Sequence, residues 1–317
     1  MTVWYCSFPS NEVMTCLCHI IKEPFSCREY KIPILQRRGC VPLYPYVPQL
    51  KIMSRSYYLI AIVLFFSACS TRKETKTENE WIKLFNGNDL DGWAFKVHHH
   101  DAGVNFANTF RAEDGMIKVR YDEYGDFNDQ FSHLYYKKPF SHFHLKLEYR
   151  FTGELQKGAP DYTLLNSGVM FHSQDPNSML KEQNWPISVE MQFLAGLGDG
   201  NPRPTGNMCS PGTDIVYNGK LYDEHCLNST SETYDKDEWV RAELIVLGDS
   251  LITHIINGDT VLQYTQPTIG GGVVQGYDST VWRPGTPLTS GFIALQSEGQ
   301  PIDFRNIELL NLAKGDQ

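Results

Sequence analysis

Basic side chains are scarce in this sequence. It has 28 Lys and Arg against 37 Asp and Glu, which gives a formal net charge of −9 over 317 residues. Because phosphate recognition needs a basic surface, this balance argues against a nucleic-acid-binding protein. Charged residues make up only 21% and apolar residues 41%, and this composition excludes an intrinsically disordered chain.

Several catalytic and cofactor motifs are missing. No GxGxxG or Walker pattern surrounds the glycines at 270–272, and no GxSxG elbow occurs anywhere in the chain. A nicotinamide cofactor is therefore not implied. The spacing of His, Cys and acidic residues does not establish a metal either, so a divalent cation stays open as an alternative.

Long apolar runs are limited to one, at residues 57–68, which excludes a multi-span membrane protein. Its length is that of the core of a signal peptide, and Arg55 supplies the positive charge that precedes such a core. The run ends in residues 66–69 (FSAC), which resemble the lipobox of bacterial lipoproteins. We therefore expect a lipoprotein signal peptide at 53–68.

The same pattern predicts that Cys69 carries the lipid and becomes the new N-terminus. The polar residues that follow, up to 80, have the composition of a tether between a lipid anchor and a folded domain. The expected location is the bacterial cell envelope, with membrane contact through the lipid only.

The segment before this signal, residues 1–52, lacks sustained hydrophobic periodicity. A signal peptide normally begins at the chain start, so we expect Met53 to be the initiator and the upstream segment to be spurious translation. The alternative is a small cysteine-rich domain, because five of the eight cysteines lie here: Cys6, Cys16, Cys18, Cys27 and Cys40.

Beyond the lipid cysteine, only Cys209 and Cys226 remain. In an exported protein, such a lone pair indicates a disulfide that closes a loop. Two free thiols are the alternative.

From residue 81 onward the apolar residues recur with period two. In 142–151 (HFHLKLEYRF) apolar and polar side chains alternate, which is typical of a strand with one buried face. Further strands are expected at 188–194, 239–247, 251–256, 260–264, 291–296 and 302–310, with a hairpin turn at 257–259. Many short strands between Gly, Asn, Asp and Pro turns predict an all-β sandwich or jelly roll of antiparallel strands.

Two connections are long, at 177–186 and at 196–237. Long ordered loops in compact domains tend to carry function, so both are expected near a site.

A series of short motifs spans the region 81–312. They are WIKLFNGNDLDGW (81–93), EYRF (148–151), NSGV (166–169), SVEMQ (188–192), NG (257–258), GFIALQ (291–296) and FRNI (304–307). Each is weak alone, but all of them in this order resemble the 3-keto-disaccharide hydrolase family.

The resemblance implies a concanavalin A-like jelly roll that cleaves glycosides whose sugar is already oxidised at C3. Such chemistry removes the acidic proton at C2, expels the C1 substituent and then adds water. A separate 3-oxidising dehydrogenase is then expected to act upstream. Many family members have Asp-His-Gly after the Leu-Gln pair, whereas residues 297–299 here are Ser-Glu-Gly.

The chemistry requires a base, an acid for the leaving oxygen and groups that stabilise an enolate. Glu190 and Gln192 are two residues apart on one strand and therefore share a face. We expect Glu190 to act as a base or metal ligand and Gln192 to bind sugar hydroxyls. The alternative is a solvated outer face, or a hydrogen bond to a neighbouring strand.

His172 is a candidate acid or base, because its ordinary pKa lies near neutrality. Arg305 could clamp the keto oxygen or an enolate, and an ion pair with Asp303 or Glu298 is its alternative role. Trp185 could stack on a sugar rather than pack in the core. Further substrate-binding candidates are Asn166, Gln296 and, as a second carboxylate, Glu298.

Residues 98–101 (HHHD) have metal-ligating side chains, but neighbours on a strand face opposite sides. A surface loop is the simpler expectation, although His98 and His100 could converge on one side.

Three functions are therefore open. One is an exported enzyme that cleaves 3-keto-glycosides, and another is a carbohydrate-binding lipoprotein on the same fold without catalysis. The third is a surface domain whose ligand is not a sugar.

Overall fold

The computed structural model describes residues 4–7, 15–18 and 80–313. The chain divides into two compact units, Met1–Lys73 and Glu74–Gln317. The predicted signal peptide, the lipid-bearing Cys69 and nearly all of the predicted upstream segment lie outside the described residues, so these expectations stay predictions.

In the first unit, strands β1 (Trp4–Ser7) and β2 (Thr15–Cys18) pair in antiparallel fashion. Trp4 lies opposite Cys18 in the register of this pair.

The second unit consists mainly of strands. They are β3 Trp81–Lys83, β4 Trp93–Val97, β5 Phe110–Glu113, β6 Met116–Val119, β7 Ser132–Tyr136, β8 His142–Phe151, β9 Asn166–Ser173, β10 Val189–Leu194, β11 Asn207–Cys209, β12 Thr213–Tyr217, β13 Lys220–Tyr222, β14 Cys226–Leu227, β15 Val240–Leu247, β16 Ile252–Ile256, β17 Asp259–Ile269, β18 Phe292–Ser297 and β19 Ile302–Asn311. Short 3-10 helices occur at Phe106–Asn108, Asp161–Thr163 and Pro176–Ser178. None of the helices in the described part of the chain has the length and apolar content that membrane crossing requires.

These strands form two antiparallel sheets. One has seven strands in the order β14-β11-β10-β9-β18-β7-β4. The other has ten, in the order β13-β12-β17-β16-β15-β8-β19-β6-β5, with β3 paired to β19. The predicted all-β, concanavalin A-like sandwich of antiparallel strands is confirmed.

The core lies between the sheets and follows from the period-two pattern. Along β8 every second residue is buried, as the alternation of 142–151 predicts. Val169 and Phe171 of β9 and every second residue of β10 belong to the same core, and the rings of Tyr149 and Phe193 stack at 4.1 Å. Each large apolar side chain buried in this way stabilises the fold by roughly 1.5–3 kcal/mol.

The turn between β16 and β17 is also as predicted. Asn257 and Gly258 both have positive φ, at 50° and 97°, which is the backbone that an Asn-Gly hairpin turn requires. The predicted long loop at 196–237, in contrast, contains four short strands, β11 to β14. Strands of two to five residues are too short to show a period in the sequence.

The predicted disulfide is confirmed. Cys209 on β11 and Cys226 on β14 lie directly opposite each other in the sheet and are bonded, with a sequence separation of 17. Since β14 has only two residues, this bond fixes the edge of the seven-stranded sheet more firmly than its few ladder hydrogen bonds can.

We predict that the double variant Cys209→Ala, Cys226→Ala is less stable than the unmodified chain. A loop of this length is worth roughly 3 kcal/mol in restricted unfolded-chain entropy. Urea denaturation should show a loss of that order. Treatment with a reductant should destabilise the unmodified chain but leave the double variant unchanged, and an unchanged midpoint in the double variant would contradict the prediction.

Candidate active site

The outward face of the seven-stranded sheet carries the candidate site. On β10, Val189, Met191 and Phe193 point into the core, so Glu190 and Gln192 point away from it. Asn166 of β9 and Gln296 of β18 line the same cleft. We call this surface the cleft face, and the cleft that it floors has a volume of about 690 Å³.

Loops build the walls of the cleft. Trp185 comes from the connection between β9 and β10, which is the shorter of the two long connections expected to carry function. Tyr162 comes from the 3-10 helix before β9, and Val273 from the segment after β17. The disulfide closes one side, because Cys209 is the cross-strand neighbour of Glu190.

Glu190 is nearly inaccessible, with 5% of its surface exposed. Its side chain lies across Gly168 on the neighbouring strand. A Cβ placed on Gly168 would come within 2.5 Å of Glu190 Oε1 and 2.9 Å of its Cγ. The missing side chain at Gly168 therefore makes the space in which the Glu190 carboxyl group lies.

Glu298 follows β18 and is similarly buried, at 4% exposure. The indole Nε1–H of Trp185 donates a hydrogen bond to Glu298 Oε1 at 2.9 Å. Burial raises the pKa of Glu298 to about 7, and the Trp185 hydrogen bond partly offsets this by favouring the ionised form. Trp185 also packs on Phe131, with ring centroids 4.6 Å apart.

The two carboxyl groups influence each other. Burial, and secondarily the charge of Glu298, raise the pKa of Glu190 well above its ordinary value. Two desolvated carboxyl groups that repel each other cannot both ionise easily, so they hold one proton between them near neutral pH. Such a pair can supply an acid and a base to one substrate.

Amide side chains surround this pair. Asn166 Oδ1 and Gln296 Oε1 are buried and have no hydrogen-bond partner within the described residues. Gln192 Oε1 accepts a hydrogen bond from Asn207 at 3.0 Å. A buried unpaired acceptor is unfavourable unless a ligand satisfies it, so the cleft is prepared for a ligand that donates hydrogen bonds. Sugar hydroxyl groups have this property.

The cleft has no positively charged lining. Of the described side chains that border it, none is Lys or Arg, whereas four are carboxylic: Asp129, Glu182, Glu190 and Glu298. Burial lowers the pKa of His98 and His225, the two histidines at the cleft, which favours their neutral forms. This charge distribution disfavours anionic ligands.

His172 does not lie in this cleft, contrary to the sequence-based expectation. The His172 backbone has φ 45° and packs against Gly291. A Cβ placed on Gly291 would come within 2.3 Å of the His172 carbonyl carbon. This irregularity in β9 turns the ring to the turn after β15, where Nε2–H donates to the Gly248 carbonyl at 3.0 Å. Burial lowers the pKa of His172, so the ring is a neutral structural group.

Arg305 is also remote from the cleft, and its expected catalytic role is corrected. It lies on β19 in the ten-stranded sheet, where its Nε–H donates to Glu148 Oε2 at 2.6 Å. Its guanidinium group stacks on Trp239, 3.8 Å from the ring centroid. Arg305 therefore forms an ion pair, but with Glu148 and not with Asp303 or Glu298, the two partners expected from the sequence.

The histidines at 98–100 turn to three different partners. His98 Nδ1 contacts the Asp129 carbonyl at 2.8 Å, His99 Nδ1 contacts Glu182 Oε2 at 2.8 Å, and His100 contacts Gln130. His98 and His100 thus do not converge.

Two clusters of potential metal ligands occur among the described residues. One contains His225 and the two cysteines of the disulfide, whose sulfur atoms are already bonded to each other. The other is His98, His99 and Glu182, whose donor atoms lie within 4.8 Å of one another. The two imidazole rings stack at 3.6 Å, so their in-plane lone pairs run side by side instead of pointing at one ion. This arrangement fits a hydrogen-bonded rim better than a metal centre.

The sequence did not identify Tyr162 or Gly168 as residues of the site. Nothing near Tyr162 in the sequence distinguishes it from other exposed tyrosines. Gly168 did carry a signal, because a glycine within a strand often marks a close approach by another group.

The fold and the cleft define a class: an antiparallel sandwich with an acidic, amide-lined ligand cleft on one sheet. Within this class the chain belongs to the 3-keto-alpha-glucoside-1,2-lyase-like domain family, whose sequence model matches residues 80–310. The resemblance found in the motifs is thereby confirmed. The family places the chain among proteins that act on glycosides.

Solved structures similar to this chain include two proteins from Parabacteroides distasonis ATCC 8503 that are provisionally named glycosyl hydrolases. The first has 17% identity and a TM-score of 0.46, over 76% of this chain and 97% of its own. The second has 21% identity and a TM-score of 0.45, over 74% and 100%. The carbohydrate-binding module CBM66 from Bacillus subtilis has 12% identity and a TM-score of 0.38, over 68% and 93%. No curated protein matches the sequence.

We predict that Glu298→Gln stabilises the protein at high pH. The pKa of Glu298 is about 7 in the folded protein and near 4 in the unfolded chain. Ionisation of this buried carboxyl group therefore opposes folding in full above about pH 7, and the penalty disappears as the pH falls toward 4. The gain should therefore be roughly 3 kcal/mol at pH 8 and close to zero at pH 4. Urea denaturation at both pH values measures it.

Glu154→Gln is the matched control, because this side chain is 90% exposed and should show no such pH-dependent gain. A loss of stability in Glu298→Gln at pH 8 would contradict the burial argument.

Proposed function

We propose that the protein is an enzyme that cleaves 3-keto-glycosides by elimination at C1–C2 followed by hydration. The observation that carries this proposal is the buried Glu190–Glu298 pair in a cleft lined by amides. Family membership supports it, since the family is named for 3-keto-alpha-glucoside-1,2-lyase-like domains.

In the first step, one carboxylate takes the proton from C2, which the neighbouring keto group makes acidic. The C2–H electron pair forms the enolate, and the C1–O bond then breaks as the other carboxyl group gives its proton to the leaving oxygen. The products are the free aglycone and a 1,2-unsaturated 3-keto sugar. Donors that hold the keto oxygen would stabilise the enolate.

In the second step, water adds to this enone, its oxygen to C1 and a proton to C2. The carboxyl group that took the C2 proton returns it, and the carboxylate that lost its proton takes one from the water. Both groups regain their starting states, and the net reaction is hydrolysis.

The electrostatics favour Glu298 as the base and Glu190 as the acid, the reverse of the simplest sequence-based assignment. The pKa of Glu298 is about 7, and its hydrogen bond from Trp185 favours the carboxylate. Glu190 has no such donor in the described part of the chain, and its pKa is raised well above normal by burial and by Glu298.

The substrate class that fits is a neutral glycoside. Uronates, sulfated sugars and phosphorylated sugars would bring a negative charge to a cleft with four carboxylic side chains and no Lys or Arg among its described lining. Asn166, Gln192 and Gln296 would hold the hydroxyl groups of the sugar.

We also propose that the protein is exported and anchored by a lipid on Cys69, in the cell envelope. The lipobox-like residues 66–69 and the disulfide, which is typical of exported proteins, support this. A separate dehydrogenase that oxidises C3 would supply the substrate, since the chain carries no nucleotide-binding motif.

The decisive assay offers the full chain two chromogenic glucosides, one oxidised at C3 and one not. We expect release of the aglycone from the keto substrate only. Glu190→Gln and Glu298→Gln should each lower kcat by at least about a hundredfold, because each removes a proton-transfer group. Sugar affinity, measured by isothermal titration, should change by less than about threefold.

A parallel reaction with a chelator tests the metal alternative, since loss of turnover would place a divalent cation in the site. Sugar binding without release from either substrate, with unchanged affinity in Glu190→Gln, would favour the carbohydrate-binding function. Absence of binding to any glycan would favour a non-sugar ligand.

Gly168→Ala tests the geometry of the pair. The new methyl group would displace the Glu190 carboxyl group, lower turnover by about tenfold or more, and weaken its coupling to Glu298. Weaker coupling lowers the pKa of the acid, so the alkaline limb of the kcat–pH profile should move to lower pH. Gly125→Ala is the matched control, because a Cβ there meets no atom within 4 Å. An unchanged profile in Gly168→Ala would contradict the assignment.

A further inference from the structure

Tyr162 is an exposed aromatic residue in the wall of the cleft. It is 56% exposed, and neither its ring nor its hydroxyl group has a stacking or hydrogen-bond partner in the described part of the chain. An exposed ring in the wall of a cleft is available to stack on a ligand. It lines the cleft that holds the carboxyl pair.

The backbone around Tyr162 is fixed. The 3-10 helix Asp161–Thr163 is closed by the hydrogen bond from Thr163 N–H to the Pro160 carbonyl at 2.9 Å. Arg203 Nη2–H donates to the Leu164 carbonyl at 2.8 Å. The ring is therefore presented from a preorganised turn, which lowers the entropy that binding has to overcome.

The same turn is connected to the cleft floor. Asn166 Nδ2–H donates to the Tyr162 carbonyl at 3.2 Å. Glu298 and Asp129 lie close enough to Tyr162 for their charges to act on its hydroxyl group, after burial the next causes of its raised pKa. Tyr162 and Glu298 thus line the same cleft, within electrostatic range of each other.

The other aromatic side chains of the cleft are engaged. Trp185 donates its indole N–H to Glu298 and packs on Phe131. Val273, 42% exposed, adds an apolar surface to the rim. Among the described lining residues, Tyr162 is the aromatic side chain with a face free for a ligand.

We propose that Tyr162 forms the aglycone subsite and stacks on a flat apolar face of the leaving group. This face is either an aryl ring or the C–H face of a second sugar. The inference rests on the proposed function in one respect, namely that the sugar ring lies with C2 at Glu298. C1 is bonded to C2, so the leaving group begins near Glu298, in the cleft that Tyr162 also lines.

The test is isothermal titration of the full chain with three unoxidised ligands of one anomeric configuration: methyl glucoside, phenyl glucoside and a gluco-disaccharide. In Tyr162→Ala we expect a five- to tenfold loss of affinity for phenyl glucoside, the disaccharide or both, and no change for methyl glucoside. Tyr162→Phe should retain the affinity. Leu164→Ala, an exposed neighbour outside the cleft lining, is the matched control.

Loss for phenyl glucoside alone assigns an aryl leaving group, and loss for the disaccharide alone assigns a second sugar. Equal loss for all three ligands, no loss for any, or no binding by the unmodified chain would overturn the subsite. Because the ligands are unoxidised, failure of 3-keto turnover would refute the proposed function and leave a positive binding result intact.

Discussion

The burial of two carboxyl groups on one sheet face is the constraint on which the candidate site depends. Glu190 and Glu298 sit where water cannot fully solvate their charges, and this opposes folding at neutral pH. The opposition is tolerable because the large core between the sheets stabilises the fold independently. The sheet can therefore hold the two carboxyl groups in fixed positions although their burial is unfavourable.

Much of this arrangement could be predicted from the sequence. The alternation along 142–151 predicts the strand and its buried face, and the parity of Glu190 and Gln192 predicts that both leave the core. Ordered motifs predict the family, and a lone cysteine pair predicts the disulfide. All of these features depend on local period or on a motif, which sequence displays directly.

The remaining features depend on contacts between distant segments. His172 shares a parity with Asn166, but the irregularity beside Gly291 reverses the direction of its side chain. Arg305 belongs to a recognised motif, yet the pairing of β19 with β8 places it beside Glu148, in the ten-stranded sheet and away from the cleft. Strand order determines which side chains meet, and period alone does not reveal strand order.

The disulfide has a consequence for when the site is complete. Cys209 adjoins Glu190, and the bond ties the two-residue strand β14 to the same sheet edge. A chain in a reducing compartment would keep both thiols, and its short edge strand would have little to hold it. The wall beside the carboxyl pair would then close only after oxidation. Formation of the disulfide and completion of the binding site would be a single event, so that a reduced chain would lack a finished cleft.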